Sequence, residues 1–303
     1  MDNKQRYTVT ICAVIFNVDK TLLNVNLDNG FEFRLMSLIP SKNQLDEIFE
    51  TDVMALRQDY ETAKINENLN VICVFKSDTI SLNETEAEEY TAKMSDEVLK
   101  YLDDKIRAIR LFVESPICFT NLSIKMKGET EFKNIIPINE AMVTNPISGF
   151  HCNDEEIDKL NKNISSMKFP LSDDLLNNCH RYYDLSYHQE NFISITLLIT
   201  CLEILFLGRE KAKKEKLAKR CSVFLYESKK ERLICYKNLL DQYKKRSEFV
   251  HDGDCSKIIN QDILFLRDCV RKSIIKYLRS KFGKKEIIKN LKDSIQKLDY
   301  WTS

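Results

Sequence analysis

Glycine and proline are scarce in this chain, 6 and 5 among 303 residues. Turn-rich sandwiches and barrels use one or the other at most corners, and a phosphate-cradling loop needs several glycines together. A chain this poor in both has few places to break a helix, so helix is expected to dominate. Hydrophobic residues at 43% and charged residues at 30% supply an ordinary core and exclude a disordered or low-complexity protein. The length accommodates two domains or one large one, at roughly 100–200 residues per domain.

No apolar run reaches the roughly 18 residues of a membrane-spanning helix. The longest, residues 192–208, contains Ser194, Thr196, Thr200 and Glu203 and reads as a buried helix. Residues 1–6 lack the basic-then-apolar order of a secretion signal. Ten cysteines are scattered from Cys12 to Cys269 with no C-x-x-C pair, and Cys73, Cys201 and Cys235 sit inside apolar runs. A thiol in such a run behaves as a small hydrophobe. Together with four well-separated histidines, this predicts a reduced, cytoplasmic protein with no membrane partner, no cofactor and no metal site.

The net charge is zero, but the halves differ. Residues 151–303 carry 30 basic against 22 acidic side chains, and residues 1–150 carry 16 against 24. The asymmetry favours two domains with different partners and makes the second half the one suited to a polyanion. Patterning agrees. Residues 7–18, 31–38, 71–80 and 110–118 are short runs rich in Val, Ile and Phe that predict strands. Residues 43–58 and 85–111 have helical spacing. A loose stretch after Pro137, including Asn145-Pro146, predicts a linker. Beyond it, helices are predicted at 154–165, 171–186, 189–208, 211–226, 229–250, 257–281 and 284–298. Ser172 is the expected N-cap of the second, Gly253 ends the fifth, and Gly283 separates the last two. The expected fold class is therefore α+β: a mixed α/β domain over 1–150 and an all-helical domain over 151–303.

One segment carries chemistry, Tyr243-Lys-Lys-Arg-Ser-Glu-Phe-Val-His-Asp-Gly253. Arg246 is permanently cationic and can grip a phosphate. His251 titrates near neutrality and can move a proton. Together they suffice to cleave RNA without metal: the 2′-hydroxyl attacks its own 3′-phosphate, histidine handles a proton, and arginine opposes the growing charge. Five residues correspond to about 140° on an ideal helix. Either the helix relaxes near Asp252-Gly253, or two copies of the motif meet across a dimer axis; the second arrangement doubles the cations facing one phosphate. The bare spacing also describes Arg181 and His188. A plainer reading makes Arg246 a surface ion-pair partner and His251 a helix-end cation favoured by the macrodipole.

The order of the flanking segments resembles the ApeA-like branch of the HEPN superfamily. It consists of Tyr183-Asp-Leu-Ser-Tyr187, an apolar helix with Leu202-Glu203, Leu217-Ala-Lys-Arg220, and Tyr243-x-x-Arg-Ser-x-x-Val-His251. Ile106-Arg-Ala-Ile-Arg-Leu-Phe112 is similar to a segment that commonly precedes these, so the likeness covers roughly 100–255. The resemblance implies an all-α HEPN bundle that forms homodimers and acts as a metal-independent endoribonuclease in phage defence (abortive infection) or as a toxin. By position it makes Arg246 and His251 catalytic, Ser247 the polar residue after the arginine, and Glu203 a carboxylate that orients Arg246. Glu203 satisfied by Arg220 is the alternative. Asp252 departs from the family, which has glycine directly after the histidine.

The densest cationic stretch is 209–220, with seven basic residues against Glu210 and Glu215. Lys211, Lys213, Lys214 and Arg220, with Lys244 and Lys245 beside the motif, are the expected contacts to RNA phosphates; a solvated helix face is the competing reading. In the nuclease reading the first half senses a protein trigger or holds an inhibitor. The other class of function is a catalytically inactive HEPN-derived module that dimerises and binds RNA or protein.

Overall fold

The computed structural model describes residues 4–35, 72–137, 149–208, 210–298 and 301. The chain is α+β, with an antiparallel sheet in the first part and helices in the second. It divides into two compact units, Met1–Lys168 and Phe169–Ser303.

In the first unit, β1 (Gln5–Ile15), β2 (Glu32–Leu35), β3 (Ile72–Leu82), β4 (Asn121–Lys127) and β5 (Glu131–Pro137) pair antiparallel in the order β2-β3-β1-β4-β5. Central β1 starts with alternating burial and ends with Ala13, Val14 and Ile15 all sealed from solvent. That change from period two to continuous burial marks a strand covered on both faces. Helix α1 (Glu84–Phe112) opens with a reciprocal capping box between Asn83 and Glu86 and lies on β4 and β5. Ser95 of α1 accepts a hydrogen bond from Asn134 of β5 at 2.7 Å.

Three expectations meet different outcomes here. Residues 110–118 are expected as a strand, but 110–112 complete α1 and the rest is a loop joined to the residues after β1 by a bridge between Phe16 and Cys118 and by the Asn17 amide, which donates to the Pro116 carbonyl. Pro116 removes a ladder donor, and Arg110 Nε donates to the Ile117 carbonyl at 2.9 Å, folding the segment back on its own helix. The β4–β5 hairpin is not among the expected strands, although Leu122, Ile124 and Met126 alternate with Ser123 and Lys125 at period two; its two strands are short and carry lysines. Its turn requires Gly128, where a Cβ would stand 2.7 Å from the ring of fully buried Tyr7. The helix expected at 43–58 and the loose segment 138–148 lie outside the described residues.

Helix α2 (Asp154–Ile164) belongs to the first unit, so the compact boundary falls at 168/169 rather than 150/151. Its charged first turn matches the helical half in composition, but Ile157, Leu160 and Ile164 are buried on the sheet side of the chain. Lys105 of α1 donates to the Ile164 carbonyl, and Asn161 is bonded to the backbone of Asn24 and Asn26.

The second unit comprises α3 (Asp174–Leu185), a 3-10 turn at Ser186–His188, α4 (Asn191–Phe206), α5 (Lys213–Leu225), α6 (Lys229–Asp252), α7 (Asn260–Arg279) and α8 (Lys284–Gln296). The cap of α3 is Asp173, one residue beyond the expected Ser172; its carboxylate accepts from the Leu176 N–H at 2.9 Å. Helix α4 is apolar around its circumference and packs against α3, α5, α6 and α7. Its last carbonyls are met by side chains from other helices: Tyr277 Oη donates to Leu205 and Arg220 Nη1 to Phe206, both at 2.7 Å. Among the described residues no helix is long and apolar enough to cross a membrane.

Candidate functional site

Helix α6 begins at Ser228, whose hydroxyl accepts from the Glu231 N–H, and stops at Gly253. Gly253 adopts φ 72°, a left-handed conformation that costs glycine nothing, and its N–H reaches the Phe249 carbonyl at 3.0 Å. The inward stripe runs Cys235, Leu239, Gln242, Arg246 and Phe249, alternating steps of four and three. The first three are buried, and the Phe249 ring lies 5.2 Å from that of Phe192 at the start of α4. Arg246 thus occupies a core-facing position on a helix otherwise dressed with lysines.

Arg246 is half-buried, and its Nε is shut off from solvent without a hydrogen-bond partner among the described residues. Leaving such a donor unmet costs about 1–3 kcal/mol. Nearby, the Tyr243 hydroxyl donates to Glu203 Oε1 of α4 at 2.7 Å. Burial and the Glu203 carboxylate push the Tyr243 phenol up to about 12, with the Arg246 charge working in the opposite direction. Glu203 therefore holds Tyr243. It is not the Arg220 partner either: buried Arg220 pairs with Glu210, at 2.8 and 3.2 Å, and with the Phe206 carbonyl.

His251 lies exposed in the last turn of α6, where the helix dipole favours a cation. The helix stays regular through Asp252, so the relaxation that would bring His251 round to Arg246 does not occur. The two side chains leave one helix about 140° apart. Ser247 is half-buried beside Arg246.

The cations expected to contact phosphate separate into two groups. Lys211 and Lys213 are exposed, Lys214 is half-buried, and Lys244 is exposed within 3.6 Å of Glu248. Arg220 and Lys245 are committed to the fold instead. Lys245 Nζ bridges Asp241 and Asp262, which raises its pKa against the opposing effect of burial. Asp262 also accepts from Gln242 Nε2 at 2.7 Å and from the Ile259 N–H at 2.9 Å, fastening α6 to the first turn of α7. Arg209 lies outside the described residues.

A feature the sequence conceals is the meeting of Cys221, Cys235 and Cys269, from α5, α6 and α7, with all three sulfurs within 4.8 Å of one another. Among the described residues this is the one cluster of three metal-capable side chains. The spacings, 14 and 34 residues, match no short motif, and only helix packing brings them together.

Comparison with known proteins finds no matching family model, no matching curated protein and no matching solved structure.

Proposed function

We propose that this chain is a metal-independent endoribonuclease of HEPN type, acting as a homodimer in antiviral defence or as a toxin. The observation that carries the reading is Arg246, an arginine on the inward stripe of α6 with a buried, unmet Nε, one and a half turns before an exposed His251. Because α6 remains regular, each cleft takes Arg246 from one chain and His251 from a second copy across a two-fold axis. Exposed Val250, beside His251, and Ile193, beside Phe192, supply apolar surface next to the motif for that contact.

In the reaction the RNA 2′-hydroxyl oxygen bonds to the adjacent phosphorus as the 5′-oxygen leaves. His251 accepts or delivers a proton, and Arg246 faces the additional negative charge on the phosphorane. Tyr243, pinned to Glu203, lies close enough to the arginine to feel its charge. The alternative, an inactive HEPN-derived module that binds RNA or protein, draws its support from exposed Asp252 directly after His251, a negative charge where a phosphate would lie.

The test is incubation of the purified full chain with total RNA in EDTA. Products should bear a 2′,3′-cyclic phosphate and a 5′-hydroxyl, DNA should be inert, and a 2′-deoxy substitution at the cut position should block cleavage. His251→Ala and Arg246→Ala should each lower the rate by roughly 10²–10⁴-fold. Cleavage that needs Mg²⁺, or that persists at the wild-type rate in both variants, refutes the assignment. RNA binding with no cleavage in the wild type selects the inactive module.

A further inference from the structure

The buried cysteines of this protein are not alike. Cys179 and Cys201 point their sulfurs at each other's backbone carbonyls, across α3 and α4. Each is thereby provided for. Cys12 and Cys73 meet as a pair on adjoining strands. Cys221, Cys235 and Cys269 instead direct three sulfurs from three helices toward a common point. Two hydroxyls adjoin them, Ser222 against Cys235 and Ser273 against Cys221.

We propose that Cys221, Cys235 and Cys269 form a buried thiolate site for one soft d10 metal ion, zinc(II) or copper(I), that ties α5, α6 and α7 together. Size and chemistry agree. Sulfur sits about 2.3 Å from zinc, so sulfurs sharing one ion lie about 3.8–4.0 Å apart, and the three sulfurs here already lie within 4.8 Å of one another. An all-sulfur ligand set selects zinc and copper(I) over magnesium, calcium and manganese. Loading replaces the three thiol protons, which pass to solvent; zinc(II) offsets two of the three thiolate charges and copper(I) one.

The site's role is structural. Cys235 lies on the same face of α6 as Arg246, three turns upstream, so the ion would fix the helix that carries the motif without entering the RNA chemistry. The proposal stands whether or not the chain cleaves RNA, because its readout is metal content.

The full chain, expressed with added zinc and purified anaerobically in reductant without chelator, should contain one ion per chain by elemental analysis. Native mass spectrometry should show a single species heavier by one ion less the displaced protons. Displacement by a mercurial followed by cobalt(II) should give thiolate-to-cobalt absorption in the near ultraviolet. Growth with added copper, read by titration with a copper(I) chelator, distinguishes the second ion from the first. Cys235→Ser should lower the content severalfold toward zero, while Cys255→Ser, at the exposed cysteine outside the cluster, should leave it at one. The native mass measurement requires no variant, so it decides the matter even where Cys235→Ser fails to fold. Wild-type chain free of metal after both supplements, or undiminished content in folded Cys235→Ser, overturns the proposal and leaves the three thiols as packing groups.

Discussion

Asp262 offers a quantitative handle on the helix that presents Arg246 and His251. Its carboxylate serves three donors at once: Gln242 Nε2, Lys245 Nζ and the Ile259 N–H. Asp262→Ala leaves buried Gln242 without that acceptor, at about 1–3 kcal/mol. Loss of the bond closing the first turn of α7 adds about 1 kcal/mol, the usual scale of a helix-start contact. Lys245 keeps Asp241, whose side chain is 55% exposed, so its loss is small, about 0.5–1 kcal/mol. The total is about 2.5–5 kcal/mol, equivalent to a fall in Tm on the order of 10 °C for a unit of this size. Asp262→Asn retains an acceptor oxygen but not the charge and should cost about half as much. Urea unfolding of the full chain measures the totals, and hydrogen exchange should rise in the first turn of α7 and the last two turns of α6. A loss below about 1 kcal/mol in Asp262→Ala, or equal losses in the two variants, would refute this account of how α6 is held.

Three further outcomes test other parts of the structure. Gly128→Ala forces a methyl against the immobile Tyr7 ring and should cost about 1–3 kcal/mol; an unchanged Tm would remove the close approach from the explanation of the hairpin. Burial raises the Glu210 carboxyl, but hydrogen bonds and charge from Arg220 outweigh it, so the folded value lies below the ordinary one. That stabilisation is present above the unfolded value of about 4.3 and disappears as pH falls through the lower folded value. Glu210→Gln should therefore be less stable than wild type near neutrality, with the gap closing in acid; a gap constant with pH in urea titrations contradicts the pairing. Finally, changing Lys211, Lys213 and Lys214 together to glutamate should weaken RNA binding and flatten the log–log salt slope by roughly 2 for three lost contacts. Unchanged affinity and slope would make that stretch a solvated face.

Most helices of the second unit are legible in the sequence because their apolar residues recur at helical spacing, α4 because it is one long apolar run, and breaks such as Gly253 and Gly283 separate them. Asp173 displaces Ser172 as a cap by a single residue, a choice between adjacent oxygens that local chemistry leaves nearly balanced. The sheet is less legible. Residues 110–112 have strand-like composition but extend a 29-residue helix already nucleated by its capping box. In β4, Ser123 and Lys125, at the positions a period-two reading assigns to solvent, are buried as well, Lys125 against Glu131, so a strand covered on both faces carries the composition of an exposed one. Arg246 and His251 are visible as a pair from spacing alone. The partners of Glu203, Arg220 and Lys245 are not, since each depends on a contact 10 to 40 residues away along the chain. The cysteine trio is hidden for the same reason.

The closure of α4 from outside itself has a consequence for how the protein is made. Its most apolar stretch leaves the ribosome with the Leu205 and Phe206 carbonyls unmet. Arg220 follows 14 residues after Phe206, but Tyr277 comes 72 residues after Leu205. At roughly 5–20 residues per second, that delay is about 4–14 s. Throughout it α4 lacks α7, and the segment bearing Arg246 and His251 emerges onto α4 and α5 before Asp262 of α7 is there to hold Gln242 and Lys245. Vectorial synthesis thus imposes an order: the motif helix meets its earlier neighbours first and is fastened from the other side only once α7 has followed. A ribosome stalled before residue 277 would release an apolar helix without its lid, a substrate for chaperones and proteases rather than a prematurely assembled site.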